Sequence, residues 1–428
     1  MKILDKAVEI LKQGPICDNC LGRNFADLLS GYSNDERGKI FRNFVAFLLD
    51  SGEKVEIDTS NLYGIKFRNL KIQPKKPTKC IICKNFFQEG IEKITDKIAK
   101  KLKGLEFETF LVGSIISTEL KNAEENLWEK VGIEGTESIK SEINREVGKR
   151  LQKILNKKFD LKNPDITIIV DVGRADVEIE LRSLFILGKY QKSVRGIPQS
   201  KWVCRNCQGR GCKVCNYKGK LYPTSVQEEI ERPILKATKG RESSFHGAGR
   251  EDIDARNLDF RPFVIEIKNP VNRKLNLKKI QSEINKSKKV KVSNLKFSNK
   301  DDVRRIKFAK YDKTYLARVE FENELDPKKI KKLKGLSKQQ IFQRTPERVL
   351  QRRADKMRRR NLKSLSWKIK GKRQIDFKII AESGLYIKEL ISGDKGRTKP
   401  SVAEILDNKV KSIELDVIRI HTKGEKFG

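Results

Sequence analysis

Histidine is nearly missing from this chain: His246 and His421 are the only two in 428 residues. So few imidazoles leave almost no way to build a Ser-His or Cys-His nucleophile pair, or a His-rich metal site. Any catalysis must fall to carboxylate, Tyr, Lys, Arg or a metal. Long apolar runs are missing too. Stretches such as "FVAFLL" and "LFIL" fall far short of the ~20 residues that span a bilayer. The opening "MKILDKAVEILKQG" sets Ile3, Leu4, Ala7, Val8 and Leu11 at helical spacing ahead of Gly14-Pro15. That pattern is an amphipathic helix with a stop rather than a signal peptide. A cytoplasmic protein without a membrane segment is expected.

Acid is scarce relative to base. Lys and Arg number 94 against 57 Asp and Glu, a formal net charge of +37. A thermophile-like bias toward lysine would raise glutamate with it, and here acid does not keep pace. The imbalance points to a polyanionic partner, nucleic acid first. Nucleotide fingerprints are absent. "GAGRED" has Asp252 where G-x-G-x-x-G needs glycine, and Gly219-Lys220 lacks the glycine five residues earlier that a P-loop requires. No organic or nucleotide cofactor is expected.

Cysteine, by contrast, is ordered. All eight fall in C-x-x-C pairs: Cys17/Cys20, Cys80/Cys83, and the compact "CRNCQGRGCKVC" holding Cys204, Cys207, Cys212 and Cys215. One C-x-x-C turn presents two thiolates to a metal, and two turns complete a tetrahedron. The eight divide into two four-cysteine zinc sites with no open position, hence structural. Disulfides suit an oxidising compartment, and iron–sulfur clusters use other spacings.

Length suggests two or three domains, and the boundary between halves is placed near Ser200. The first half is helix-rich, with strands at "DITIIVDV" and "DVEIEL". The second half opens with a helix in "YPTSVQEEIERPILKAT". Strands follow at Phe263–Ile267, Thr314–Phe321, Gln374–Ile380 and Ser412–Ile420, an α+β pattern with a largely antiparallel sheet. Between Lys328 and Arg373 lie 19 Lys/Arg and two acids, Glu347 and Asp355. Thr345-Pro346-Glu347 reads as a helix start, with Leu350, Ala354 and Met357 as an apolar stripe. Arg348, Arg352, Arg353, Arg358 and Arg359 cover the rest. So many like charges repel one another unless a phosphate backbone is near, so this insertion is expected to contact RNA or DNA.

Within so basic a chain, "GAGREDIDAR" packs Glu251, Asp252 and Asp254 between Arg250 and Arg256. Either the loop is a solvated turn locked by salt bridges, or one carboxylate does chemistry. By spacing alone Asp252 and Asp254 are equal candidates.

The segment "GREDIDARNLDFRPFVIEI" resembles the active-site segment of the tRNA pseudouridine synthase family that modifies the T arm in archaea and also occurs in eukaryotes. "KTYLARVEF", "QRTPERVLQRR" and "ESGLYIKELISGDKGRTKPSVAEIL" follow in the same order, covering most of the chain after Tyr222. The first half resembles the family's accessory region, with paired C-x-x-C and a THUMP-like RNA-binding module ending in "GKYQKSVRGIPQSKW". The resemblance implies a zinc-bearing THUMP-like domain over residues 1–199 and a pseudouridine synthase domain over 200–428. It implies Asp252 as the essential carboxylate and Lys388 as its basic partner. Tyr315 would stack on the target base, Arg250 would help displace it, Tyr386 would contact substrate, and Ile387 and Leu415 would wall the pocket. The implied substrate is tRNA, at T-loop positions 54 and 55. The chemistry suits the composition. Uridine isomerisation breaks a glycosidic bond and rejoins the base through carbon, so it needs an ionised carboxylate and a pocket, but no redox partner. The rival reading is a non-catalytic tRNA-binding or ribosome-assembly protein.

Overall fold

Short polar signals start the helices of the first half. Ser33 and Glu36 form a reciprocal capping box ahead of Asn34–Asp50, and Ser117 and Ser138 cap Thr118–Val131 and Ile139–Leu155. In the computed structural model, which describes residues 2–422 with the side chain of Arg352 set aside, the chain divides into two units between Arg182 and Ser183. The first holds helices Ile3–Lys12 (α1), Asp18–Gly22 (α2), Asn34–Asp50 (α3), Ile91–Leu102 (α4), Thr118–Val131 (α5) and Ile139–Leu155 (α6). Its strands are Thr109–Ile115 (β1), Lys158–Phe159 (β2), Ile166–Asp171 (β3) and Asp176–Leu181 (β4). They form a mixed sheet in the order β2-β1-β3-β4, antiparallel only at β3–β4. Ile166, Ile168 and Val170 alternate inward along β3 and share one core with Ile91, Ile94, Ile98 and Leu102 of α4.

The second unit is built on a ten-stranded sheet. Its strands are Leu184–Lys192 (β5), Glu242–Gly247 (β6), Arg256–Lys268 (β7), Val290–Ser298 (β8), Asp312–Phe321 (β9), Gln340–Arg344 (β10), Met357–Gly371 (β11), Gln374–Ala381 (β12), Thr398–Lys399 (β13) and Val410–His421 (β14). The order is β13-β10-β11-β12-β9-β14-β7-β5-β8, with β6 beside β7. Every pairing is antiparallel except β14 with β7. Helices Val226–Thr238 (α7), Leu277–Ile284 (α8), Lys300–Phe308 (α9), Pro327–Lys332 (α10) and Ile387–Ser392 (α11) accompany it. In β7 Arg261 to Ile265 are consecutively buried, as expected of a strand covered on both faces. The α+β class and largely antiparallel second sheet match the sequence expectation.

Two expectations are corrected. The boundary lies at Arg182/Ser183 rather than near Ser200, because β5 pairs with β7 and β8. "GKYQKSV" therefore belongs to the second unit. The helix expected from Thr345 to Met357 is a short 3-10 helix, Glu347–Arg352, followed by β11. A helix would crowd Arg352, Arg353, Lys356 and Arg358–Arg360 at spacings of three and four, where like charges repel. On β11 successive arginines alternate between faces, and Met357–Asn361 pair with β10 while the strand's later residues pair with β12.

Helices α2 and α3 cross in close contact where both carry glycine. A Cβ at Gly38 would stand 2.0 Å from the Asp18 carbonyl oxygen, and one at Gly22 1.7 Å from that of Asn34. Backbone cannot yield as a side-chain tip can. Gly38→Ala should destabilise the first unit by about 3 kcal/mol, the upper range for overpacking. Chemical denaturation followed by circular dichroism should show the loss of midpoint.

Candidate active site

Tyr190, on β5, and Arg261, on β7, are fully buried on neighbouring strands. Between them sits Glu251, also buried. Arg261 Nε lies 3.2 Å from Glu251 Oε2, and the Tyr190 hydroxyl donates to the same oxygen at 2.8 Å. Gln199 Nε2 donates to the Tyr190 hydroxyl and to the Gly249 carbonyl, each at 2.8 Å. Lys192, wholly buried, donates to the carbonyls of Ile197, Asp252 and Ile253 at 3.0, 3.0 and 3.1 Å. Burial pulls its ammonium below the ordinary lysine range. The Ala248–Ala255 loop is thus clamped from beneath. Gly249 has φ +80°, and a Cβ there would meet Arg261 Nη1 at 3.2 Å, so glycine is required.

The clamp turns Asp252 the other way, into a cavity of about 450 Å³. Arg348, from the turn after β10, grips it with a fork: Nη1 to Oδ1 2.9 Å and Nη2 to Oδ2 3.1 Å. The same guanidinium donates from Nε to Glu389 Oε1 at 2.6 Å. Glu389 is buried on α11. Burial works against the Arg348 charge, yet Glu389 and Asp252 together hold it above the ordinary arginine range. Two-point contact fixes the carboxylate plane, which a single point contact would leave free to turn.

The sequence-derived residues converge here. Asp252, Arg250, Tyr315, Tyr386, Ile387, Lys388, Leu415, Arg348 and Arg353 all line the cavity. Parallel pairing of β14 with β7 sets Asp416 beside Arg256, and β14–β9 pairing sets Val417 beside Tyr315. That register brings Leu415, Val417 and Tyr315 up to the Asp252 loop. Burial pushes the Tyr315 phenol up to about 12, so the hydroxyl stays protonated. Tyr386 accepts a hydrogen bond from Arg353 Nη1 at 2.6 Å, and the Arg353 and Arg358 guanidinium carbons each lie 6.0 Å from its ring centre. Arg250 is exposed at the rim.

Some placements differ from expectation. Lys388 does not pair with Asp252. Its Nζ lies 2.5 Å from Asp254 Oδ2, and although burial raises that carboxyl, Lys388 holds it below the ordinary range. Arg348 takes the place expected of Lys388 and lines the cavity, with its side chain 39% exposed. Arg359 lies apart, over the Phe342 ring at 5.6 Å, and the Arg352 side chain falls outside the described residues. Glu251 pairs with the buried Arg261. Tyr190, Lys192 and Gln199 lie within "GKYQKSVRGIPQSKW", Arg261 within "GREDIDARNLDFRPFVIEI" and Glu389 within "YIKEL", but the sequence reading assigns these supports no role. A signal for Glu389 lay in its place one residue after Lys388 in "YIKEL".

Both cysteine sets assemble. The ligand atoms of Cys17, Cys20, Cys80 and Cys83, and those of Cys204, Cys207, Cys212 and Cys215, each lie within 4.8 Å of one another. In the first, Ile81 N–H donates to the Pro15 carbonyl at 2.9 Å, joining two distant knuckles. In the second, backbone N–H groups of Gly211, Cys212 and Gly219 point at cysteine sulfurs at 3.2–3.3 Å, the donors a thiolate cluster needs. Four thiols so close together suit a metal, and both sets leave no further ligand position.

Comparison with known proteins agrees with this geometry. The profile "Pus10, C-terminal" matches residues 185–421 and "Pus10 THUMP domain, archaeal" matches residues 94–171. The protein named tRNA pseudouridine synthase Pus10 from Methanothrix thermoacetophila is 40% identical over 98% of this chain and 94% of its own length. Those of Methanocaldococcus jannaschii (42% identical, 96% and 93% covered) and Methanopyrus kandleri (38%, 99% and 99%) carry the same name. This chain belongs to the Pus10 family of tRNA pseudouridine synthases.

Proposed function

We propose that the chain isomerises uridine to pseudouridine in the T loop of tRNA, at position 54, 55 or both, with Asp252 as the essential carboxylate. The observation that carries this reading is Asp252 held by the Arg348 fork inside a cavity with a protonated tyrosine. The target uridine leaves the stack and enters the cavity, with Arg250 at the rim to occupy the gap or hold phosphate. Tyr315 offers a ring to the base, while Ile387 and Leu415 shield it. Asp252 acts on the glycosidic bond, as nucleophile or as counter-charge to a cationic sugar. The freed base turns within the walls and rejoins through carbon. No atom is gained or lost, so no co-reactant is needed. Arg348 keeps the carboxylate aimed, Lys388 steadies neighbouring Asp254, and Tyr386 with Arg353 and Arg358 forms a cationic margin for the strand. Arg352 and Arg359 belong to the same basic segment and are assigned to tRNA contact. The THUMP-matching unit grips tRNA.

Both four-cysteine sets are assigned to zinc. Cys17, Cys20, Cys80 and Cys83 would join two loops some sixty residues apart, and Cys204, Cys207, Cys212 and Cys215 would close one knuckle. Thiolates have a cytoplasmic zinc chemistry, and the same reading places the enzyme in the cytoplasm with its tRNA. Among the described residues no helix is long and apolar enough to cross a membrane.

Three measurements test the reading. Asp252→Asn should abolish tritium release from uridine-labelled tRNA and erase pseudouridine at the mapped T-loop position, with tRNA affinity nearly unchanged. A wild type that binds tRNA without turnover would instead be a non-catalytic tRNA-binding protein. Arg348→Gln should lower kcat by about a hundredfold, as loss of one preorganised electrostatic contact does, and Arg348→Lys should recover only part because a point charge cannot fork. A rise confined to KM would return Arg348 to RNA binding alone. Metal analysis should find two zinc ions per chain, falling to one when Cys212 and Cys215 are both changed to Ser.

A further inference from the structure

The Cys204–Cys215 knuckle hangs beside the active-site cavity. Its base is a short bridge between Val203 and Lys220, continued where Leu221 N–H donates to the Trp202 carbonyl, and Trp202 packs edge to face on Tyr222 with ring centres 5.4 Å apart. Trp202 itself lines the cavity that holds Asp252. Whatever enters that cavity therefore passes close to the knuckle.

The knuckle's surface is unusual in two ways. First, residues 201–220 contain six Lys/Arg and no Asp or Glu. Lys220 is spent on Glu228, but among the described residues Arg205, Arg210, Lys213 and Lys218 are exposed and form no ion pair. The groups that point at the sulfurs are backbone N–H groups and the Asn206 amide rather than these side chains. Second, Val214 and Tyr217 are 72% and 71% exposed at the tip. Asn216 and Tyr217 are both left-handed, with φ +49° and +58°. That conformation suits asparagine or glycine and costs a tyrosine stability, and no burial of the ring offsets the cost.

We infer that this tip is a second tRNA-binding element: Tyr217 stacks on an unpaired nucleobase, and Lys213, Lys218, Arg205 and Arg210 hold the flanking phosphates. An exposed aromatic among cations is the recurring platform for single-stranded nucleic acid, and the acid-free surface complements a polyanion. The element stands beside the cavity, so its base belongs to the strand next to the target uridine. The inference rests on the proposed tRNA activity and adds a recognition surface outside the catalytic cavity and outside the arginine-rich segment.

Tyr217→Gly tests it cleanly, because glycine relieves the backbone while removing the ring. Thermal unfolding and metal content should stay at or above the wild-type level. Kd and KM for a tRNA transcript should rise about tenfold, the scale of one lost base stack, with the loss falling on KM rather than kcat. Tyr217→Phe should bind as wild type does. Lys213→Gln combined with Lys218→Gln should reduce the slope of log Kd against log salt by about 2. If the Tyr217→Gly and double-lysine variants keep wild-type Kd, KM and salt slope, the tip does not bind tRNA and the inference falls, as it would if the tip served a protein partner. The parent reading fails separately, through absence of pseudouridine in tRNA treated with the wild type. In that case the Kd comparison still decides the role of the tip.

Discussion

The buried Glu251–Arg261 ion pair governs the second unit. Two charges in a low-dielectric interior are costly unless paired and hydrogen-bonded, and removal of one partner commonly costs about 3–5 kcal/mol. Here Tyr190, Gln199 and Asn257 complete the set: Arg261 Nη2 reaches Asn257 Oδ1 at 3.2 Å and Nη1 reaches the Ala248 carbonyl at 3.1 Å. Glu251 is the residue next to Asp252, so anchoring one inward turns the other outward. The apparent excess of acid in "GREDIDAR" thus resolves into three assignments: Glu251 to the core, Asp252 to the cavity and Asp254 to Lys388.

A second cluster sets the position of the walls. Asp416, almost wholly buried, is shared by Arg195, Arg256 and Arg318, with contacts of 2.6, 2.6 and 3.4 Å. Arg195 also donates to the carbonyls of Asp254 and Leu415. These contacts lock β14 against the start of β7 in the one parallel pairing among the unit's described strands. Preorganisation of this kind lets a site stabilise developing charge without rearranging at the moment of reaction.

Much of this was legible in the sequence. Strands with strict alternation and helices with polar starts announced themselves, because burial of one face repeats at the period of the backbone. The C-x-x-C pairs were legible because thiolate geometry demands that spacing. The cavity residues were legible through motif resemblance rather than through pattern. What escaped was of two kinds. Charge-rich segments misled: the run after Thr345 has a helix-start signal, but mutual repulsion among arginines and the open edge of β10 favoured a strand. Long-range pairings left no local trace. Nothing near Lys192 says that its ammonium will lie buried under the Asp252 loop, and nothing in "TPERV" says that Arg348 rather than Lys388 will reach Asp252.

The parallel seam between β14 and β7 has a further meaning. The strand that supplies Leu415 and Val417, and that packs beside Tyr315, is made after every other regular element described here. Until it has left the ribosome, the aspartate loop faces an unfinished wall. A nascent polypeptide therefore carries Asp252 before it carries the wall that encloses it, and the cavity is completed only when this strand is added.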